Sequence, residues 1–226
     1  MRPLTGRRAD GRERSGAPVR VLRVSAWPVI RAARLGPLLI GALAGWALLA
    51  IPAALTTTTD PDSLTLQLRL ATVCTAVGAL FLLDDPAKPT TLVVPAPAWV
   101  PVAIRVGFAL VASGLWWAVA VGIVLAGAAD GVRQALRLPG TGLEAAAMVV
   151  VALALAVAGS RLAERGVASP ATAPTLLALL GSLAVLPREA ALFVGVEDPG
   201  WSVAHERWAG VLAVGCVALV VAARRG

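Results

Sequence analysis

Lysine occurs once in this chain, at Lys88, and histidine once, at His205. One histidine leaves haem ligation by paired imidazoles, a histidine-based metal site and an intramembrane protease dyad without their residues; His205 itself reads as an ordinary residue of an outer loop. A P-loop needs GxxxxGK[ST], whose lysine meets the phosphates, whereas Lys88 stands in a proline-rich stretch. An ATP site of that kind is excluded, and any ATP-driven work requires another subunit. The two cysteines, Cys74 and Cys216, lie in separate apolar runs with no CxxC or zinc spacing, and read as small buried hydrophobes. Charge is also scarce: 15% of residues are charged and 58% hydrophobic, against about 25% and about 45–50% in soluble domains. These proportions exclude an ordinary water-soluble fold.

What the chain has in quantity is uncharged apolar length. Runs such as 145–159 and 211–223 carry no charge, while the first 34 residues hold nine arginines. The runs are of the size that lipid requires. The net charge of +7 does not point to nucleic acid, because the arginines gather at the edges of apolar spans, where anionic lipid at a cytoplasmic face is the simpler counter-charge.

The pattern predicts an all-α integral membrane protein. Residues 1–16 are arginine- and glycine-rich and are expected to be a disordered cytoplasmic tail. Residues 17–34 set Val19, Leu22, Ala26, Val29 and Ile30 on one side and Arg20, Arg23, Arg31 and Arg34 on another, which predicts an amphipathic helix in the membrane interface. The basic stretch is too long for a signal-peptide n-region, so the first span is expected to be a retained anchor. Residues 35–226 then form a transmembrane domain of six helices, at about 35–55, 64–83, 102–126, 143–159, 171–186 and 208–223. The segment 130–142 is expected to be a polar loop, Pro174 to lie in the first turn of the fifth span, and 187–207 to form short helices on the membrane surface. With the N-terminus inside, fifteen Lys and Arg residues fall in inner segments and four in outer loops, so both ends are expected in the cytoplasm.

Few residues offer chemistry, and no catalytic, cofactor or metal constellation is expected. Asp84-Asp85 resembles the start of an aspartate-rich Mg2+ motif but stops after two residues. Ending a helix with acids is electrostatically unfavourable, since the helix C-terminus is already negative, and a placement of that kind is retained for contact with a partner. Arg69 lies about five residues into the second span, where it must snorkel outward, towards Asp60 or Asp62, or line a polar path. Gly41 and Gly45 form a GxxxG that permits close helix packing, within the chain or between copies. Trp116 and Trp117 sit near mid-span and are expected to be buried.

The segment FLLDDPAKPTTLVVPAPAWVPVAIR, residues 81–105, resembles the cytoplasmic loop between spans two and three of actinobacterial permease subunits of the ABC-2 exporter class. The arrangement of a basic interfacial helix, six spans and a semi-helical outer segment before the last span is similar to theirs, and the arginine-rich, alanine-rich composition is that of a high-GC actinobacterium. The resemblance implies a multi-pass protein of the bacterial plasma membrane that exports a solute, pairs with a separate ABC ATPase subunit, and forms a homodimer or a heterodimer with another permease. It implies an ATPase-coupling loop containing Asp84, Asp85, Pro86, Lys88, Pro95 and Pro97. Relatives place several arginines before span three, where this chain has Arg105 alone. Two further readings stand beside it: a non-transporting polytopic scaffold or accessory protein, and a membrane enzyme using Asp84 and Asp85.

Overall fold

The computed structural model describes residues 35–57, 60–84, 99–163 and 167–224. The expected tail and interfacial helix at 1–34, and Asp85, Pro86, Lys88, Pro95 and Pro97 of the proposed loop, lie outside the described residues. Within them there is no strand. The helices are α1 (Leu35–Leu55), α2 (Pro61–Leu80, continued by a 3-10 turn through Leu83), α3 (Trp99–Gly127), α4 (Asp130–Ala135), α5 (Leu138–Leu162), α6 (Ser169–Ala184) and α7 (Trp201–Arg224).

Among the described residues, five helices are long and apolar enough to cross a membrane: α1, α2 with its 3-10 turn, α3, α5 and α7. The fifth predicted span is the shorter α6, of 16 residues, about 24 Å at 1.5 Å per residue. It begins at Ser169, so Pro174 lies in its second turn. Two other expectations change. The predicted loop 130–142 contains α4 and the first turn of α5, which Pro139 opens in a position that lacks a hydrogen-bond partner anyway. The predicted surface helices at 187–207 are replaced by a short 3-10 turn at Arg188–Ala190, irregular turns and the first two turns of α7.

The centre of the bundle is α2 and α5. Each buries more than half of its apolar stretch, whereas α1 and α7 each bury about a sixth. Helix α5 packs most extensively on α7, α1 on α2, and α2 on α5. The α1–α2 seam explains the GxxxG. A Cβ on Gly41 would collide with the Cys74 carbonyl oxygen, and one on Gly45 would meet the Ala71 oxygen at 2.8 Å and the Trp116 ring at 2.7 Å. The two glycines therefore serve packing within the chain, letting backbones approach where lipid supplies no hydrophobic drive. Indoles lock α1 to α3 in turn: Trp116 Nε1 donates to the Ala42 carbonyl at 3.0 Å and Trp46 Nε1 to the Trp116 carbonyl at 3.4 Å. Trp116 is buried, as its position predicts, whereas Trp117 is half-buried.

Caps set the ends. Asp60 accepts from the backbone N–H groups of Asp62 and Ser63 and from the Ser63 hydroxyl, and Pro61 follows as the first helical residue of α2. The Ser63 bonds hold the Asp60 carboxyl below its ordinary value of 3.8. Its ionised form therefore favours the folded state above that value, and the contribution is lost as pH falls through the lower folded value.

Two outcomes follow from these contacts. Gly41→Leu should lower folding stability in mixed micelles by about 1–3 kcal/mol, the usual cost of overpacking, while Gly36→Leu, with no atom within 4 Å of its Cβ position, should not. Asp60→Asn should retain the cap but lose the charge, so its stability deficit should be constant above pH 3.8 and close on further acidification.

Candidate functional site

Arg69 does not reach Asp60 or Asp62. It stands about 12 Å along the axis from the start of α2, and Glu144 about 9 Å from the start of α5, so the parallel packing of the two helices brings their charges level. Arg69 Nε donates to Glu144 Oε2 at 2.6 Å and Nη2 to Oε1 at 2.7 Å, a two-pronged pair. The side chains are 11% and 0% exposed. Arg69 Nη2 also donates to the Val194 carbonyl at 2.9 Å, and its guanidinium lies 5.4 Å from the centre of the Phe193 ring.

His205 completes the cluster, and the expectation of an ordinary surface residue is corrected. Helix α7 begins at Trp201 rather than near Trp208, and this turns His205 onto α5, 11% exposed. Its Nδ1 lies 2.7 Å from the Trp201 carbonyl, and its Nε2 stands 3.1 Å from Glu144 Oε1, at ion-pair distance but off the line of a hydrogen bond. The ring stacks on Trp201 with centroids 4.1 Å apart. Gly140 makes room for the stack, since a Cβ there would be 2.7 Å from Nε2. The carbonyl can only accept, so Nδ1 carries a hydrogen; a proton on Nε2 would then set an imidazolium against the carboxylate. The cluster balances a buried cation with a buried anion.

The cluster also holds the irregular strap at 187–200. Val196 N–H donates to Asp62 Oδ1 at 2.6 Å, Trp208 Nε1 to the Leu192 carbonyl at 2.9 Å, and Arg207 to the carbonyls of Ala191 at 3.0 Å and Glu189 at 2.6 Å. Side chains of α2 and α7 thus supply the bonds that a helix would have made internally. Surface helices were expected from the alternation of apolar and acidic residues; the turns exist because these donors satisfy them.

Asp84 occupies the other end of the bundle. It is 1% exposed, and its carboxylate accepts from the N–H groups of Ala168 at 2.8 Å and Ser169 at 3.1 Å and from the Ser169 hydroxyl at 2.5 Å. The acid that is unfavourable at its own helix end therefore lies at the positive N-terminus of α6. The contact inferred for it is made within the chain, and both its oxygens are engaged by these donors. Among the described residues no group of three or more His, Cys, Asp and Glu side chains could hold a metal ion.

Glu144 is the member that sequence reasoning missed, because one acid at the margin of an apolar run reads as a boundary. The available signal was Arg69, which at its depth calls for a carboxylate at matching depth in another span. For His205 the signal was Asp198-Pro199, a helix-start pattern: Asp198 Oδ1 accepts from Gly200 N–H at 2.7 Å just before α7.

Glu144→Gln, which leaves Arg69 in a dry site without its counter-charge, should cost about 3–5 kcal/mol of folding stability. The double variant Arg69→Met/Glu144→Leu should recover most of that loss, and a double-mutant cycle of unfolding in mixed micelles measures the coupling. No protein-family model, curated protein or solved structure matches this chain.

Proposed function

We propose that this chain is the membrane-spanning permease subunit of an ABC-type exporter in the bacterial plasma membrane, driven by a separate ATPase subunit. The observation that carries this reading is the resemblance of residues 81–105 to the cytoplasmic coupling loop of ABC-2 permeases, together with the anchoring of that loop's first residue. Asp84 is clamped to the start of α6, so a push on the loop that follows is delivered to α2 and α6 at once. An unanchored loop would absorb such a push in its own backbone.

In this reading α6 is the fifth of six crossings. Asp84 meets Ser169 near one end of α2, and Arg69 meets Val194 near the other. The two points are separated by 15 residues of α2 and its 3-10 extension, or about 22 Å, most of a hydrocarbon core of about 30 Å. The arginine distribution then puts both chain ends and the 84–101 loop in the cytoplasm, and the Arg69–Glu144–His205 cluster near the outer face. No residue performs covalent chemistry; two permease copies form the path, and ATP binding in the partner shifts them between arrangements.

Purification in mild detergent tests the function directly. A P-loop ATPase should co-purify, and Asp85→Ala/Lys88→Ala should remove it while the Asp84 clamp stays intact. An intact chain that retains no ATPase would favour the scaffold reading. Orientation is tested with single cysteines at 90 or 94 in a chain lacking Cys74 and Cys216: an impermeant maleimide should leave them unlabelled in intact cells and label them after permeabilisation.

A further inference from the structure

A cleft of about 170 Å³ lies between α2, α3 and α5. Its inner walls are Thr72 and Thr75 of α2, Ser113 and Trp116 of α3, and Ala145 and Val149 of α5. Leu110, Gly114 and Ala146, all exposed on the outside of the bundle, form its mouth. The cleft therefore opens sideways, towards the surface that lipid covers.

One lining group is out of keeping with its surroundings. Hydroxyls within these helices bond back to the carbonyl four residues earlier: Thr72 to Leu68, Thr75 to Ala71, Thr172 to Ala168 and Ser182 to Ala178. That is how an apolar medium accommodates them. Ser113 is 8% exposed, and its Oγ is buried with no hydrogen-bond partner among the described residues. A buried hydroxyl left unsatisfied is costly, and this one lines a space large enough to supply the missing partner. The Thr72 and Thr75 hydroxyl protons are already donated within α2, so Ser113 is the buried hydroxyl of the wall without a partner among the described residues. The wall is also fixed, because Trp116 is tied to α1 through Ala42 and Trp46.

We propose that this cleft is a binding site for a bilayer-soluble amphiphile: an apolar ring or chain, carrying one hydroxyl or carbonyl oxygen, that enters between Leu110 and Ala146 and hydrogen-bonds to Ser113. A cavity of about 150 Å³ lined by aliphatic and aromatic side chains admits benzene, so a ring or a short length of chain fits inside, and the rest of a larger molecule extends through the mouth. The polar atom sets orientation and the apolar wall supplies most of the affinity, the usual division in small-molecule sites. The source is either a membrane lipid or a solute partitioned into the bilayer. The site rests on the geometry of three helices and is independent of any ATPase partner.

A diazirine-bearing octanol is the probe, applied to the full chain in lipid nanodiscs, with mapping of the labelled residues. Labelling should saturate, concentrate on 110–117 and 142–150, and be competed by octanol about fivefold better than by octane, the margin that one neutral hydrogen bond supplies. Ser113→Ala should abolish that margin while leaving labelling in place, and Ser113→Leu should fill the cleft and remove labelling. Ala146→Phe, at the exposed mouth, should block entry without touching the core and serves if the leucine variant does not fold. Native mass spectrometry separates the sources: a retained lipid, lost in Ala146→Phe, identifies a lipid ligand, and saturable labelling without one identifies a free solute. Labelling spread evenly over all lipid-facing helices, or octane competing as well as octanol, would overturn the proposal. Neither result bears on ATPase co-purification.

Discussion

The arrangement of the bundle depends on the pairing of Arg69 with Glu144. Each charge alone, buried at that depth, would be prohibitive; together, with two short hydrogen bonds, they fix the rotation and the axial register of α2 against α5. Apolar surface cannot do this in lipid, since one aliphatic face packs against another about as well as against acyl chains. Once α2 and α5 are registered, His205 brings in α7, and Val194 brings in the strap that precedes it. Four separate parts of the chain therefore converge on one carboxylate and one guanidinium.

Asp84 has the same role at the opposite end. Its three donors come from the start of α6 and the residue before it, so α2 is fastened to α5 and the strap at one end and to α6 at the other. Between these polar clamps, the contacts depend on small residues and shape. Gly41 and Gly45 admit the backbone of α2, and the indoles of Trp46 and Trp116 reach backbone carbonyls across α1 and α3.

The cleft beside Ser113 begins one helical turn from the charged cluster: Thr72 lies three residues after Arg69, and Ala145 follows Glu144. The same α2–α5 register that aligns the charges thus sets the width of the cleft. Occupancy of the cleft and the state of the cluster share two helices, which places a lateral binding site next to the group that holds those helices in register.

Hydropathy alone determined where the chain is helical and apolar: α1 has the predicted limits, and the other predicted spans fall within or close to their helices, because about 20 apolar residues in lipid have few options other than a helix. The close packing at Gly41 and Gly45 and the burial of Trp116 were also legible, since they follow from side-chain size and position along a span. The functional groupings were not. Arg69 and Glu144 are 75 residues apart, and nothing local distinguishes a carboxylate that caps a span margin from one that neutralises a buried arginine. Asp84 was recognised as misplaced on its own helix, but only the fold supplied Ser169 to receive it. The sequence by itself determined the segments and their solvent. Tertiary structure decided which charges meet, because in a low-dielectric interior an ion takes whichever counter-ion the packing brings within about 3 Å, however far away it lies in the chain.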